Sequence, residues 1–207
     1  MRAGDYNSAI DALGRAERYH PDARSELLLA ICYEHLKKPD LANKYLEAAR
    51  KRSPDNPEVQ RAMAGYFRQE GKYAQAIAAL KSIKHPKPDV TAELAYTYQL
   101  GGNLEESAKT YAQAANAVPK DINLQLSAAQ AQVAAGANGE ADTFLKRAAS
   151  IDENNYRLHA IKGEIARIED KTPEAIQEYK TAIAHLPAEP VEGPLYAIQL
   201  HMNLSDL

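Results

Sequence analysis

The sequence predicts an all-α fold, a right-handed α-solenoid of antiparallel helix pairs. Two observations lead to this prediction. Of the 207 residues, 38 are Ala and 5 are Val, and Ala is the best helix former whereas Val favours strands. Turn signals also recur along the chain at spacings of 31 to 34 residues. A period of that length is typical of stacked helix–turn–helix units, each of which buries its apolar face against its neighbours.

The turns are the elements that set the period. Their first residues are Gly4, Lys37, Gly71, Gly102, Gly136 and Asp170. Gly is favoured at such a position because the residue that ends a helix often takes the left-handed backbone conformation. A second class of turn follows each helix pair, because proline interrupts the helical hydrogen bonds there. Its prolines are Pro21, Pro54, Pro119 and Pro187.

Between the turns we expect twelve helices, alternately the first and the second of a pair. They fall near 5–19, 23–36, 39–52, 57–70, 73–84, 89–100, 104–117, 121–135, 138–150, 155–169, 173–185 and 194–206. Asp55-Asn56-Pro57 predicts an N-cap with Pro at the helix start. The 31-residue spacing implies a shortened junction at His85-Pro86-Lys87-Pro88, where paired prolines favour an extended elbow.

The repeat resembles the tetratricopeptide repeat family, whose skeleton places small, aromatic and proline residues at fixed points of a unit of about 34 residues. One repeat matches through Leu94-Ala95, Tyr98, Ser107, Tyr111, Ala114 and Pro119, and the last full one through Gly163, Ala175, Tyr179, Ala182 and Pro187. The copy around Gly136 is the weakest, with Gln132 for the Tyr and Glu153 for the Pro.

The resemblance implies a domain organisation. Residues 1–187 would form an array of one half repeat and five full repeats, and residues 188–207 a loop and the terminal helix of an incomplete repeat. Met1 to Gly4 would be the tail of a first helix whose body is missing. We therefore expect the chain to be a piece of a longer protein.

The resemblance also implies a peptide-binding groove, because the first helix of each repeat lines the concave face in this family. Arg would supply charge and forked hydrogen bonds, Gln would serve backbone amides, and Tyr96 would be a flat apolar anchor. The candidate peptide-binding residues are Arg61, Gly65, Arg68, Gln69, Tyr96, Gln99, Gln130, Arg157 and Glu164.

Gly65 has two interpretations. Arg61, Gly65 and Arg68 lie at i, i+4 and i+7 and share one helix face. A glycine in mid-helix costs about 1 kcal/mol relative to Ala, so it needs a reason. Either a bound peptide approaches the backbone closely at this point, or Gly65 packs against a bulky neighbour such as Tyr96.

Other functional classes find little support. The sequence has no phosphate loop, nucleotide fingerprint or nucleophile elbow, so we expect no catalytic residues, no cofactor and no enzyme activity. Cys32 and His35 are too few for a zinc site. A formal net charge of -3 argues against nucleic-acid binding, and no apolar run is long enough to insert into a membrane. The expected partner is a protein or peptide.

Charge is unevenly distributed. Residues 1–90 carry a balance of +4 and residues 91–207 a balance of -7. Such a gradient could orient a dipolar partner or support head-to-tail self-association. The scaffold interpretation therefore keeps two alternatives, a structural spacer or self-association module and the regulatory arm of a larger multidomain enzyme. The sequence indicates no cellular compartment.

Overall fold

The computed structural model describes residues 3–188 and 195–207, with Ala3 and Gly4 as backbone only. These residues form twelve α-helices and no strands. The helices are α1 (Ala3–Tyr19), α2 (Ala23–His35), α3 (Pro39–Arg52), α4 (Pro57–Gln69), α5 (Tyr73–Lys81), α6 (Pro88–Leu100), α7 (Leu104–Ala117), α8 (Ile122–Ala134), α9 (Asn138–Ile151), α10 (Tyr156–Ile168), α11 (Thr172–Ala184) and α12 (Leu195–Ser205). The first unit, residues 1–101, contains α1–α6, and the second unit, residues 102–207, contains α7–α12.

The predicted all-α fold is confirmed, and most helix bounds agree to within two residues. One predicted turn is wrong. Gly4 lies inside α1, which begins at Ala3. α5 ends at Lys81, three residues early. The Ser82 hydroxyl there donates to the carbonyl oxygen of Ala79, and His85 turns the chain with a φ of 54°.

The predicted loop at 188–194 lies, beyond Ala188, outside the described residues. The division of the chain at residue 187 stays a prediction.

Four of the even-numbered helices, which are the first helices of the repeats, begin with acidic or amide caps, whereas α6 follows Lys87 without a side-chain cap. The Asn56 side chain accepts from the Glu58 N–H at 2.8 Å, with Pro57 as the first helical residue, as predicted. Asp22, Asp121 and Asn155 do the same for α2, α8 and α10. Each cap satisfies backbone donors that the first turn leaves free.

Each odd-numbered helix after α1 is preceded by a turn residue in the left-handed backbone conformation. The positive φ values are 57° at Lys37, 68° at Gly71, 76° at Gly102, 76° at Gly136 and 58° at Asp170. The next backbone N–H closes the preceding helix, as from Lys72 to the Phe67 carbonyl at 2.8 Å. The turns reverse the chain within a few residues and make consecutive helices antiparallel neighbours.

Small residues sit where the helices of each unit meet. Ala30, Ala64 and Ala95 are at most 1% exposed in the first unit, and Ala129 and Gly163 are buried in the second. The absence of a bulky side chain lets paired helices approach closely. The result is a stack in each unit in which the first helices lie next to one another, as shown by contacts of α2 with α4 and of α8 with α10.

Candidate functional site

The first helices of the first unit present a shared surface. We call it the inner face of the first unit, formed by exposed or half-buried residues of α2, α4 and α6: Ile31, Glu34, Arg61, Gly65, Arg68, Gln69, Asp89, Glu93, Tyr96 and Gln99. Ile31, Gly65 and Tyr96 occupy the same repeat position, each directly after the small buried residue of its helix. The repeat therefore places an aliphatic residue, a glycine and an aromatic residue on three successive helices.

Two arginines of α4 converge on carboxylates of α6. Arg61 donates through Nε to Glu93 at 2.9 Å and through Nη1 to Asp89 at 3.0 Å. Arg68 donates through Nη2 to the other oxygen of Glu93 at 2.8 Å. We call these four residues the arginine–carboxylate network. It contains two cations and two anions, so the arginines that were predicted to bind a partner's carboxylate or backbone carbonyl are neutralised within the protein.

The network is partly shielded from water. Glu93 is 18% exposed and Arg68 is 20% exposed, whereas Arg61 remains 43% exposed. Arg68 also donates to the Thr97 hydroxyl at 3.3 Å. Such linked, partly buried pairs hold neighbouring helices in register more firmly than isolated surface pairs, which contribute 0.2–1 kcal/mol by a rough estimate. The network therefore fixes α6 against α4.

Gly65 leaves open space. A Cβ atom built on it would meet one neighbour within 4 Å, the Arg68 Nη2 atom at 3.9 Å. Packing against Tyr96, one of the two interpretations above, is therefore wrong. The missing side chain leaves a gap between the repeat positions of Ile31 and Tyr96, bordered by the Arg68 guanidinium.

The structure predicts opposite effects for alanine at two helical glycines. Gly65→Ala should raise the free energy of unfolding by about 1 kcal/mol, since 3.9 Å is an ordinary contact and Ala favours the helix. Gly163→Ala should lower it by about 1–2 kcal/mol, because the new Cβ would lie 2.9 to 3.1 Å from three ring atoms of Tyr179. Urea denaturation followed by circular dichroism measures both, and equal signs would contradict the packing described here.

The other candidate residues of this face differ in whether their side chains form hydrogen bonds within the protein. The Gln69 amide donates to the Glu34 carboxylate and joins α4 to α2. Tyr96 is 47% exposed, and the Gln99 side chain is exposed with no hydrogen-bond partner among the described residues. A cleft of about 570 Å³ opens beside the Gln69–Glu34 pair. The free binding groups of this face are therefore the Tyr96 ring, the exposed Ile31 side chain and the neutral amide of Gln99.

The candidates of the second unit lie on α8 and α10. Gln130 and Glu164 occupy the same repeat position on these two helices, and both are half-buried. Arg157 donates to the Asn123 side chain at 3.4 Å, which links α10 to α8. The structure thus brings Arg157 close to α8, and it places Gln130 and Glu164 on adjacent first helices.

Asp89 and Glu93 belong to the site, although they are not among the residues predicted from the sequence. Their signal was present, because the two carboxylates lie at i and i+4 on one face of α6 and Arg61 lies about one repeat earlier. Read together, these positions predict ion pairs between neighbouring first helices. The arginine stripe was instead assigned to a partner.

Elsewhere the described residues contain no cluster of three or more potential metal ligands. Cys32 is buried, and burial raises the pKa of its thiol, so the reactive thiolate is disfavoured. His35 stacks on Tyr6 with ring centres 4.6 Å apart. A cleft of about 720 Å³ between α9, α10 and α11 is lined by Lys and acidic residues that in part pair with each other, as in Lys171–Glu169 at 2.9 Å.

The helices of residues 3–188 and 195–207 also lack the combination of length and apolar character that a membrane span requires.

Stacked antiparallel helix pairs with left-handed turns and small residues at the crossings define an α-helical repeat protein. Comparison with known proteins shows which repeat fold this is. Residues 1–66 match the tetratricopeptide repeat family profile, and solved tetratricopeptide repeat structures share the fold of the chain. The fold is therefore that of a tetratricopeptide repeat solenoid, and such a fold is typical of protein-interaction scaffolds.

Three solved structures illustrate the likeness. YrrB, described as a tetratricopeptide repeat protein with an unusual peptide-binding site, has a TM-score of 0.74 at 12% identity, over 96% of this chain and 100% of its own. PilF of Pseudomonas aeruginosa has a TM-score of 0.70 at 15% identity, over 96% and 90%. PilW, a type IV pilus biogenesis factor, has a TM-score of 0.70 at 19% identity, over 91% and 90%. No curated protein sequence matches the chain.

Proposed function

We propose that this protein is a non-catalytic scaffold or adaptor that binds a protein or peptide segment along the inner faces of its first helices. The proposed contact residues in the first unit are Arg61, Gly65, Arg68, Gln69, Tyr96 and Gln99. Those in the second unit are Gln130, Arg157 and Glu164. In this proposal Tyr96 is the anchor, Gln99 serves the partner's backbone amides, and the two arginines mainly shape the wall beside the gap at Gly65.

The observation that carries the proposal is the exposed ring of Tyr96 beside open space. An aromatic side chain that is 47% exposed, on the same repeat position as a glycine without steric neighbours, offers a flat apolar surface and room to approach it. Aromatic residues of this kind dominate binding energies at protein interfaces. YrrB, a tetratricopeptide repeat protein with an unusual peptide-binding site, has a similar fold, which supports this use of it.

The proposal predicts that Tyr96→Ala abolishes partner capture. Wild type, Tyr96→Ala and Tyr19→Ala would be immobilised separately and incubated with lysate of the source cell, and captured proteins would be identified by mass spectrometry. Tyr19 is 80% exposed near the end of α1, away from the proposed contacts, so it controls for the loss of an exposed tyrosine. A partner that is captured by wild type and by Tyr19→Ala but not by Tyr96→Ala supports the proposal. For a central anchor, the substitution should weaken the binding free energy by about 2 kcal/mol or more.

Equal capture by all three proteins would contradict the proposed anchor. Tyr96 is a better target for the test than the arginines, because reversing the charge of Arg68 would place a third carboxylate beside Glu93 and Asp89. The resulting repulsion could loosen α6 and remove capture indirectly.

Self-association is the second candidate function. The balance of +4 over residues 1–90 and -7 over residues 91–207 favours opposite ends meeting. The terminal helix α12 also exposes Leu195, Ile198 and Met202, which are 72%, 55% and 52% exposed and share one helix face. Sedimentation velocity over a wide concentration range distinguishes the two functions. The mass of the sedimenting species stays constant for a scaffold that binds another protein, whereas it rises with concentration for a self-associating module.

A further inference from the structure

We infer that the segment bound by the inner face of the first unit is an extended, net-uncharged peptide anchored by a large apolar side chain. This inference rests on the proposed function and specifies its partner. The charges of the face are already satisfied within the protein, whereas its apolar and amide groups are not.

The first step concerns the cations. The Arg61 guanidinium contacts both Asp89 and Glu93 at 3.0 and 2.9 Å, and the Arg68 guanidinium contacts Glu93 at 2.8 Å. A partner's carboxylate would have to displace these anions or approach them, and both cost free energy. Exchanging one charge-assisted bond for another yields little net gain. The face therefore selects against acidic peptides.

The second step concerns the exposed apolar side chains of the face. Ile31 is 36% exposed, Tyr96 is 47% exposed, and Leu100, one turn beyond Tyr96, is 39% exposed. Between the helices of Ile31 and Tyr96, Gly65 contributes no side chain, and 3.9 Å separates its built Cβ from the Arg68 Nη2 atom. An apolar side chain of the partner that packed over Gly65 would leave water on contact with Ile31 and Tyr96.

The third step concerns orientation of the partner's backbone. Gln99 offers a neutral amide that both donates and accepts, which suits a peptide group in an extended segment. Three neighbouring first helices about 10 Å apart span about 20 Å, a distance that roughly six extended residues cover. The partner segment is thus short, extended and apolar at its centre.

Selection from a phage-displayed library of random peptides of about ten residues, on the immobilised full chain, tests the inference. Parallel selections use Tyr96→Ala, Tyr19→Ala and the isosteric double variant Asp89→Asn with Glu93→Gln. Wild type and Tyr19→Ala should enrich peptides rich in Phe, Tyr, Trp, Leu, Ile or Met and poor in Asp and Glu. The double variant, whose arginines are released, should instead enrich acidic peptides.

One enriched peptide is then synthesised with a fluorescent label and titrated by anisotropy. Its Kd should change less than about twofold between about 50 and 500 mM salt, because no ion pair forms with the partner. Filling the gap by Gly65→Leu should weaken binding about tenfold or more, with circular dichroism confirming that the helices remain.

Enrichment of acidic peptides on the wild type, with affinity that falls steeply as salt rises, would overturn the inference while leaving the proposed function standing. If wild type enriches nothing beyond the Tyr96→Ala selection, both the inference and the proposed peptide site fail. Unchanged affinity in Gly65→Leu would remove the gap from the binding site and overturn the anchor assignment.

Discussion

Replacing Tyr179 with alanine should lower the free energy of unfolding by about 3–5 kcal/mol, which is the usual range for deleting a buried aromatic ring. Tyr179 on α11 is 1% exposed, and its ring covers Gly163 of α10. It belongs to the core cluster that also includes Ala175, Ala182 and Leu200 of α12. The deletion would therefore leave a cavity where three helices of the second unit meet. Urea denaturation followed by far-ultraviolet circular dichroism measures the loss.

Tyr179→Phe is the matched control. The hydroxyl oxygen is buried, lies near Arg167 and Asn203, and has no hydrogen-bond partner among the described residues. Burial raises the pKa of this hydroxyl, as expected for a group removed from water. Removing it should therefore change the free energy of unfolding by less than about 1 kcal/mol. A loss for Tyr179→Phe as large as that for Tyr179→Ala would show that the hydroxyl, not the ring, stabilises the unit.

The second large effect is expected for Arg52→Met, a loss of about 2–3 kcal/mol. Arg52 on α3 donates to both oxygens of Glu26, at 2.9 and 3.2 Å, and Glu26 is only 4% exposed on its side chain. Glu17 of α1 lies 4.0 Å from the same guanidinium. Without Arg52, two carboxylates would remain close together with no cation, and an uncompensated buried charge is costly. The partial exposure of Arg52, 43%, keeps the estimate below that for a fully buried pair.

Arg50→Met is the control for this prediction. Arg50 lies on the same helix and pairs with Glu47 at 2.7 Å, but within one exposed helical turn. A pair of that kind contributes about 0.5 kcal/mol or less. Similar losses for Arg50→Met and Arg52→Met would contradict a special role for the cluster of Glu17, Glu26 and Arg52.

The loss in Arg52→Met should also depend on pH. Burial, and then the charge of Glu26, raise the pKa of Glu17 above its ordinary value of 4.5, whereas Arg52 lowers it. A raised carboxyl pKa contributes stability below the unfolded value that is lost as pH rises through the folded value. Removing Arg52 raises the folded pKa of Glu17 further. The difference between variant and wild type should therefore be small near pH 4.5 and grow towards neutral pH, as measured by denaturation at several pH values.

Local chemistry explains why so much of the fold was predictable. Asn56 with Pro57 starts a helix, and Gly71 takes the left-handed conformation that ends one, because these effects act within a few residues. Repetition adds evidence, since each turn predicts the next. Prediction failed at Gly4, where the same residue type continues a helix, and at the end of α5, where the conformation of His85 replaces the last turn.

The candidate site was less predictable because it depends on pairs of distant residues. The sequence placed Arg61 and Arg68 on one face of a helix, and their exposure follows from that face. Which carboxylates they meet depends on the offset between α4 and α6, and that offset is set by packing across the short junction at His85 to Pro88. A sequence without its fold cannot distinguish an arginine that awaits a partner from one already paired with Glu93.

The sequence by itself determined the helices, their turns, the period of the repeat and the small residues at the crossings, since each follows from backbone preference or local spacing. Only the tertiary structure decided which charges are satisfied, that Gly65 borders open space whereas Gly163 lies under the ring of Tyr179, and that Tyr96 remains exposed. The physical reason is that conformational preference is a property of neighbouring residues. Packing and charge pairing depend on the distances between helices, and these bring together residues that are far apart in the sequence.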